Sequence, residues 1–185
     1  MDAIDLDLGT MTIAHNPDTA RIAAALFSED DIGAVIRCHF EVERATTHAV
    51  SVITQDRWRV VKNCRYLADK LNLLEVIGVP KHFLEPARAL NRHRNGLAHQ
   101  GVDEITEDQE TEITRLTRLV FPNYHDDFEL RVSGRHTFNK KYRDCSTKER
   151  YVMTVGQVAM MIAGLPEILA KYYVEAATRH RETPS

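Results

Sequence analysis

The chain lacks most features that mark disulfide-stapled, zinc-binding or phosphate-loop proteins. Its 185 residues include only three cysteines, which are widely spaced and form no Cys-x-x-Cys pair. Such a set predicts neither a disulfide framework nor a cysteine-based zinc site. A glycine-rich phosphate loop and a nucleophile elbow are also missing, which argues against phosphate-loop and serine-hydrolase chemistry. We therefore predict no metal and no cofactor.

A basic surplus and a long apolar run are lacking as well. The formal net charge of −3 counts against indiscriminate nucleic-acid binding but leaves room for a small local basic site. The acidic start, MDAIDLDLGTM, has no basic region and is not expected to be a signal peptide. The longest apolar run, VGQVAMMIAGLPEILA, is too interrupted to predict a membrane span. We expect a cytoplasmic protein that does not bind membranes.

What is present is helical periodicity. Helices are predicted over 19–27 with Asp18 as cap, 31–53 with Ser28 as cap, 56–77, 80–96, 106–121 with a Thr106–Gln109 capping box, and 148–179 with a kink at 164–166. The runs FELRV and HTFN predict a small hairpin or an irregular insertion. The expected fold is all-α: one helical domain over 1–185, with a long C-terminal helix and an insertion at 122–147.

Two charged residues interrupt apolar helix faces. On a helical wheel, one face of the second predicted helix is formed by Ile32, Ile36, His39, Thr46, Val50 and Ile53. Glu43 lies at the centre of that face, whereas Glu41 and Arg37 point away. Arg94 lies in the same way among the apolar residues of the fourth predicted helix. Because unpaired buried charge is costly, we expect Glu43 and Arg94 to face each other, either as a structural ion pair or as part of a site.

The stretch LNRHRNGLAH adds chemistry to this pair. Asn95-Gly96 predicts a helix end, since both residues tolerate the left-handed conformation. In an unbroken helix Arg94 and His99 would diverge by about 140°. A break at Asn95-Gly96 would instead let His99 swing towards Arg94. A cation, an amide and a titratable imidazole would then be gathered around one phosphate.

The pattern Arg94-Asn95-x-x-x-His99 resembles the RNxxxH motif of the HEPN superfamily, whose all-α domains include metal-independent endoribonucleases of toxin–antitoxin and antiviral systems. The segments CHFEVERA, LADKLNLLEVIGVP and LNRHRNGLAH are similar to the helix order of those domains, so the resemblance covers roughly 30–101. The long terminal helix after an insertion also resembles the mannitol operon repressor family. That second resemblance implies regulation, and Glu43 matches its glutamate-bearing early helix.

The HEPN resemblance implies RNA cleavage by internal transfer, leaving 2′,3′-cyclic phosphate and 5′-hydroxyl ends. His99 would move the proton and Arg94 would neutralise charge on the phosphate. Asn95 would bind phosphate or fix the loop, and Glu43 would orient Arg94. The resemblance also implies a homodimer with two facing RNGLAH segments. The expected partners are RNA and an antitoxin or regulatory protein. The rival function is a non-catalytic regulatory or protein-interaction module.

Several residues keep an alternative interpretation. His39 is predicted to be a core histidine paired with Glu43 rather than a second base. Arg88–His93 and Arg92–His99 also fit the loose Arg–His spacing but are interpreted as solvated faces. A basic stretch over 131–150 either contacts RNA or is a solvated hairpin. Its candidate RNA-contacting residues are Arg131, Arg135, Lys140, Lys141 and Arg143.

Overall fold

The computed structural model describes residues 14–100, 103–132 and 137–182, and their side chains except those of 98–100 and 174–182. Seven α-helices and one hairpin are found in these ranges. In chain order they are α1 (Thr19–Leu26), α2 (Asp31–Thr54), α3 (Leu67–Val76), α4 (Lys81–Gln100), α5 (Glu107–Arg118), β1 (Glu129–Val132), β2 (Phe138–Lys141), α6 (Thr147–Ala163) and α7 (Leu165–Glu182). The predicted mainly helical fold with a small hairpin is confirmed.

Helix α2 is the centre of the bundle and packs mainly against α6, with α1, α3 and α4 around it. Its buried face consists of Ala34, Val35, Cys38, Glu41, Val42, Ala45, Thr46, Ala49 and Val50. This buried face lies about one residue position away from the predicted one. Ile36, which was predicted to face the core, is 54% exposed. Small side chains on the buried face let the backbones of α2 and α6 approach closely, and larger ones would hold them apart.

Several helix ends differ from the prediction. The cap of α2 is Asp30 rather than Ser28, and its carboxylate accepts a hydrogen bond from the Gly33 amide. Helix α3 begins only at Leu67, because Gln55, Asp56 and Asn63 adopt left-handed backbone conformations with φ of 51°, 60° and 67°. The chain between α2 and α3 therefore turns through a short 3-10 helix, Arg57–Val60, instead of extending a helix from 56.

Helix α4 does not end at Asn95-Gly96 as predicted, but continues to Gln100. Leu97 is 6% exposed and extends the buried stripe that includes Leu90 and His93. Burying a leucine contributes about 2 kcal/mol, whereas glycine in a helix costs about 1 kcal/mol relative to alanine. Packing therefore favours a continuous helix over a stop at Gly96.

Other local predictions are confirmed. Asp18 caps α1 by accepting from the Arg21 amide at 3.1 Å, and Thr106 and Gln109 form the capping box of α5. The strands pair antiparallel with Val132 opposite Phe138. The long C-terminal helix is broken at Gly164, with a 47° bend between α6 and the start of α7.

In the ranges given above, no single helix is long and apolar enough to cross a membrane. Helix α6 and the first half of α7 meet the length and composition test only as a bent pair.

Candidate functional site

A cavity of about 560 Å³ opens between α2, α3 and α4, and we call it the Arg94 cleft. Four of the predicted site residues line it together: His39, Glu43, Arg94 and Asn95. The others in the lining are Ile36, Phe40, Tyr66, Leu67, Ala68, Asp69 and Asn91. The side chain of His99, the predicted proton carrier, lies outside the described residues.

Arg94 is exposed rather than inward-facing, and its Nη1 atom donates to Oδ1 of Asn95 at 3.1 Å. No described carboxylate lies within the 4.0 Å ion-pair distance of its guanidinium group. The continuous backbone of α4 removes the break that was expected to bring position 99 round towards Arg94. An exposed guanidinium without an acidic partner keeps its charge and most of its donors available for an anion.

The predicted ion pair between Glu43 and Arg94 does not form. Glu43 instead accepts a hydrogen bond from Nζ of Lys70 at 2.9 Å, and the two side chains are 31% and 8% exposed. Lys70 was missed because α3 was predicted as one part of a much longer helix. The sequence feature that could have identified Lys70 is its position on the same helical face as Leu67, Leu71 and Leu74.

His39 is half-buried, and its Nε2 atom lies 3.1 Å from Oδ1 of Asn91 instead of pairing with Glu43. The amide oxygen accepts, which assigns the proton to Nε2 and leaves the lone pair on Nδ1. Burial lowers the pKa of His39, and the charges of Arg94 and Lys70 lower it further. The hydrogen bond with Asn91 and the charge of Glu43 raise this pKa but do not outweigh the burial. The imidazole is therefore neutral at pH 7 and able to accept a proton.

Three large apolar or aromatic side chains in the lining of the cleft are exposed. Ile36 is 54% exposed, Phe40 is 45% exposed and Tyr66 is 74% exposed. The guanidinium carbon of Arg21 lies 4.3 Å from the ring centroid of Phe40. Exposed aromatic rings beside cations provide surfaces on which nucleic-acid bases stack.

His93, interpreted from sequence as part of a solvated face, is buried at 6% exposure. Its Nε2 atom donates to Oε2 of Glu112 at 2.9 Å, and its Nδ1 atom accepts from the Tyr151 hydroxyl at 3.1 Å. Arg92 bonds to the other oxygen of Glu112 at 2.7 Å. With both ring nitrogens engaged inside the bundle, His93 has a structural role.

Glu41 was expected to point away from the core, but it is fully buried. Its carboxylate binds Nε of Arg21 at 2.7 Å, Nη1 of Arg44 at 3.4 Å and the backbone amide of Asp18 at 3.0 Å. A single buried carboxylate therefore joins the start of α1 to α2. Its partner Arg21, on a separate helix, could not be identified from the periodicity of α2 alone.

The basic stretch is largely neutralised by neighbouring acids. Glu129 pairs with Arg131 at 2.9 Å, Glu149 pairs with Lys140 at 2.7 Å, and Asp127 pairs with both Lys141 and Arg143. Arg135 lies outside the described residues. These pairings are typical of a solvated hairpin and weaken the case for an RNA-binding track there.

Comparison of the chain with protein-family models, with curated proteins and with solved structures found no match.

Proposed function

We propose that this chain is a metal-independent endoribonuclease of the HEPN type, that it acts as a homodimer and that the Arg94 cleft binds the scissile phosphate. The observation that carries the proposal is the exposed Arg94 guanidinium, which has no acidic partner among the described residues and shares a cavity with Asn95 and His39. An arginine that served only as an internal strut would be paired and buried.

The proposed chemistry uses the 2′-hydroxyl of RNA as nucleophile, so DNA is not a substrate. Arg94 neutralises the charge that develops on the phosphate, and Asn95 donates a further hydrogen bond to it. Because position 99 lies about 140° from position 94 around the continuous helix α4, His99 would transfer the proton across the dimer, where the two copies together supply the acid and the base that the reaction needs. Glu43 acts by holding Lys70 rather than by orienting Arg94. Toxin–antitoxin or antiviral systems are the proposed setting.

The test is cleavage of mixed RNAs in EDTA, with analysis of the product ends. The wild type should leave 2′,3′-cyclic phosphates, and His99→Ala and Arg94→Ala should each reduce the rate by at least about 100-fold. Lys81→Ala removes a largely exposed cation from the same helix outside the cleft and should cut normally. Cleavage that survives in His99→Ala, or that requires a metal, would contradict the proposal.

The exposed apolar rim favours a second candidate, a non-catalytic regulatory or protein-interaction module. Ile36 and Phe40 present apolar area of a kind that protein interfaces bury. This candidate predicts no RNA cleavage by the wild type and loss of a protein partner in Ile36→Asp. Wild-type RNA cleavage that leaves cyclic-phosphate ends and is lost in His99→Ala would decide against it.

A further inference from the structure

A second cavity of about 580 Å³ lies between α5, the segment after β2 and the start of α6. Its lining includes four arginines from these three parts of the chain, Arg115, Arg118, Arg143 and Arg150, together with two carboxylates, Glu110 and Asp126. We call it the Arg115 cleft. Its volume is within the range of small-molecule sites.

Three of the four arginines have acidic partners. Arg118 pairs with Asp126 at 2.5 Å, Arg143 with Asp127 at 2.9 Å and Arg150 with Glu110 at 3.4 Å. Arg115 differs, since it is exposed and its side chain has no hydrogen bond or ion pair to any other described residue. The charge of Arg115 is therefore not offset by an ion pair among the described residues, and an uncompensated cation in a concave surface attracts anions.

The buried carboxylate of the cleft is satisfied without Arg115. Oε1 of Glu110 accepts from the Thr114 hydroxyl at 2.9 Å and from the Tyr142 hydroxyl, while Oε2 faces Arg150. The guanidinium carbon of Arg118 lies 5.1 Å from the centroid of the Tyr142 ring, which fixes this arginine over the cleft. Arg115 is thus left free while its neighbours are already positioned.

We propose that the Arg115 cleft binds a phosphate-bearing small molecule, with Arg115 as the principal contact and Arg118 and Arg143 beside it. The planar donor fork of arginine matches the oxygens of a phosphate group better than a point charge does. Asp126 and Asp127 flank these arginines and disfavour a long polyanion, whereas a compact phosphate group reaches Arg115 without lying along them. The site is separate from the Arg94 cleft and does not depend on RNA cleavage.

The test is isothermal titration with pyrophosphate at low salt, followed by ATP and inorganic phosphate to distinguish a nucleotide from a simple phosphate source. The wild type should bind pyrophosphate or ATP saturably, and added salt should weaken binding. Arg115→Gln should weaken it by about 10-fold, the loss of one charge-assisted contact. Arg57→Gln removes an exposed cation outside both clefts and should bind as the wild type does.

Arg115→Gln removes no side-chain hydrogen bond or ion pair among the described residues, so its circular dichroism should match that of the wild type. Pyrophosphate binding that is unchanged in Arg115→Gln but lost in Arg94→Ala would belong to the Arg94 cleft and would overturn this proposal, whereas the loss of RNA cleavage in Arg94→Ala tests only the proposal made for that cleft. Failure of the wild type to bind pyrophosphate or ATP would overturn the inference. Equal binding by Arg115→Gln, or Arg115-dependent binding seen only with RNA strands, would overturn it as well.

Discussion

The Nζ atom of Lys70 lies 2.9 Å from Oε1 of Glu43, and the lysine side chain is only 8% exposed. This pair joins α3 to α2. It engages the carboxylate of Glu43, which the sequence pattern predicted as the ion-pair partner of Arg94. Because Glu43 is engaged in this way, the guanidinium of Arg94 faces the cleft without an acidic partner among the described residues.

Removing one member of the Glu43–Lys70 pair should destabilise the fold. Glu43→Gln leaves a buried ammonium without its counter-charge, and we expect a loss of about 1–3 kcal/mol in the free energy of unfolding, reduced from the fully buried case because Glu43 is partly exposed. Urea denaturation measures the loss. The double variant Glu43→Gln, Lys70→Met should recover at least half of it, and additive losses would contradict the pairing.

Arg94 should contribute little to stability. It is exposed and its one described hydrogen bond is to the neighbouring Asn95, so Arg94→Ala should change the free energy of unfolding by no more than about 0.5 kcal/mol. Thermal or urea denaturation beside wild type provides the measurement. A loss above about 2 kcal/mol would mean that the arginine acts as an internal structural contact.

Glu41 should be the most sensitive acidic residue of α2. Glu41→Leu leaves Arg21 and the Asp18 amide without their buried acceptor. We expect the free energy of unfolding to fall by about 2–4 kcal/mol. The matched control is Glu75→Leu, since Glu75 is an exposed carboxylate that pairs with Arg88 at 2.5 Å. Glu75→Leu should lower the free energy of unfolding by less than about 1 kcal/mol. Equal losses in the two variants would remove the special role of Glu41.

Stability should fall as the pH drops below about 6.5, partly through His93. Burial lowers the pKa of His93 from 6.5, although Glu112 opposes the shift. The unfolded chain therefore binds a proton at a higher pH than the folded chain does. The contribution of the neutral His93 to the free energy of unfolding is therefore fully present above pH 6.5. It is lost as the pH falls through the pKa of His93 in the folded protein. Denaturation at pH 5, 6, 7 and 8 measures this slope.

His15 and His39 also have lowered pKa values caused mainly by burial, so they add to the same slope. The part due to His93 is the difference between the wild type and His93→Gln, which should depend less steeply on pH. His82→Gln replaces an exposed histidine of the same helix and is the matched control for the substitution. If His93→Gln leaves the pH dependence of the free energy of unfolding unchanged, that dependence would be assigned to His15 and His39.

The sequence by itself determined the features that depend on neighbouring residues. Helical periodicity fixed the all-α class, while Asp18 and the Thr106–Gln109 box placed two helix starts correctly. Gly164 marked the break between α6 and α7, and two β-prone runs marked the hairpin. These features rest on backbone hydrogen bonds and caps that form within a few residues along the chain.

Only the tertiary structure decided which helix faces are buried. The face of α2 with small residues packs against α6 and takes Glu41 inside, while Ile36 remains exposed. The burial of Leu97 carries α4 through Gly96. The choice of Lys70 as partner for Glu43 depends on how α3 is placed beside α2. Contacts between helices far apart in sequence set these outcomes, and the period of a single helix carries no information about its partners.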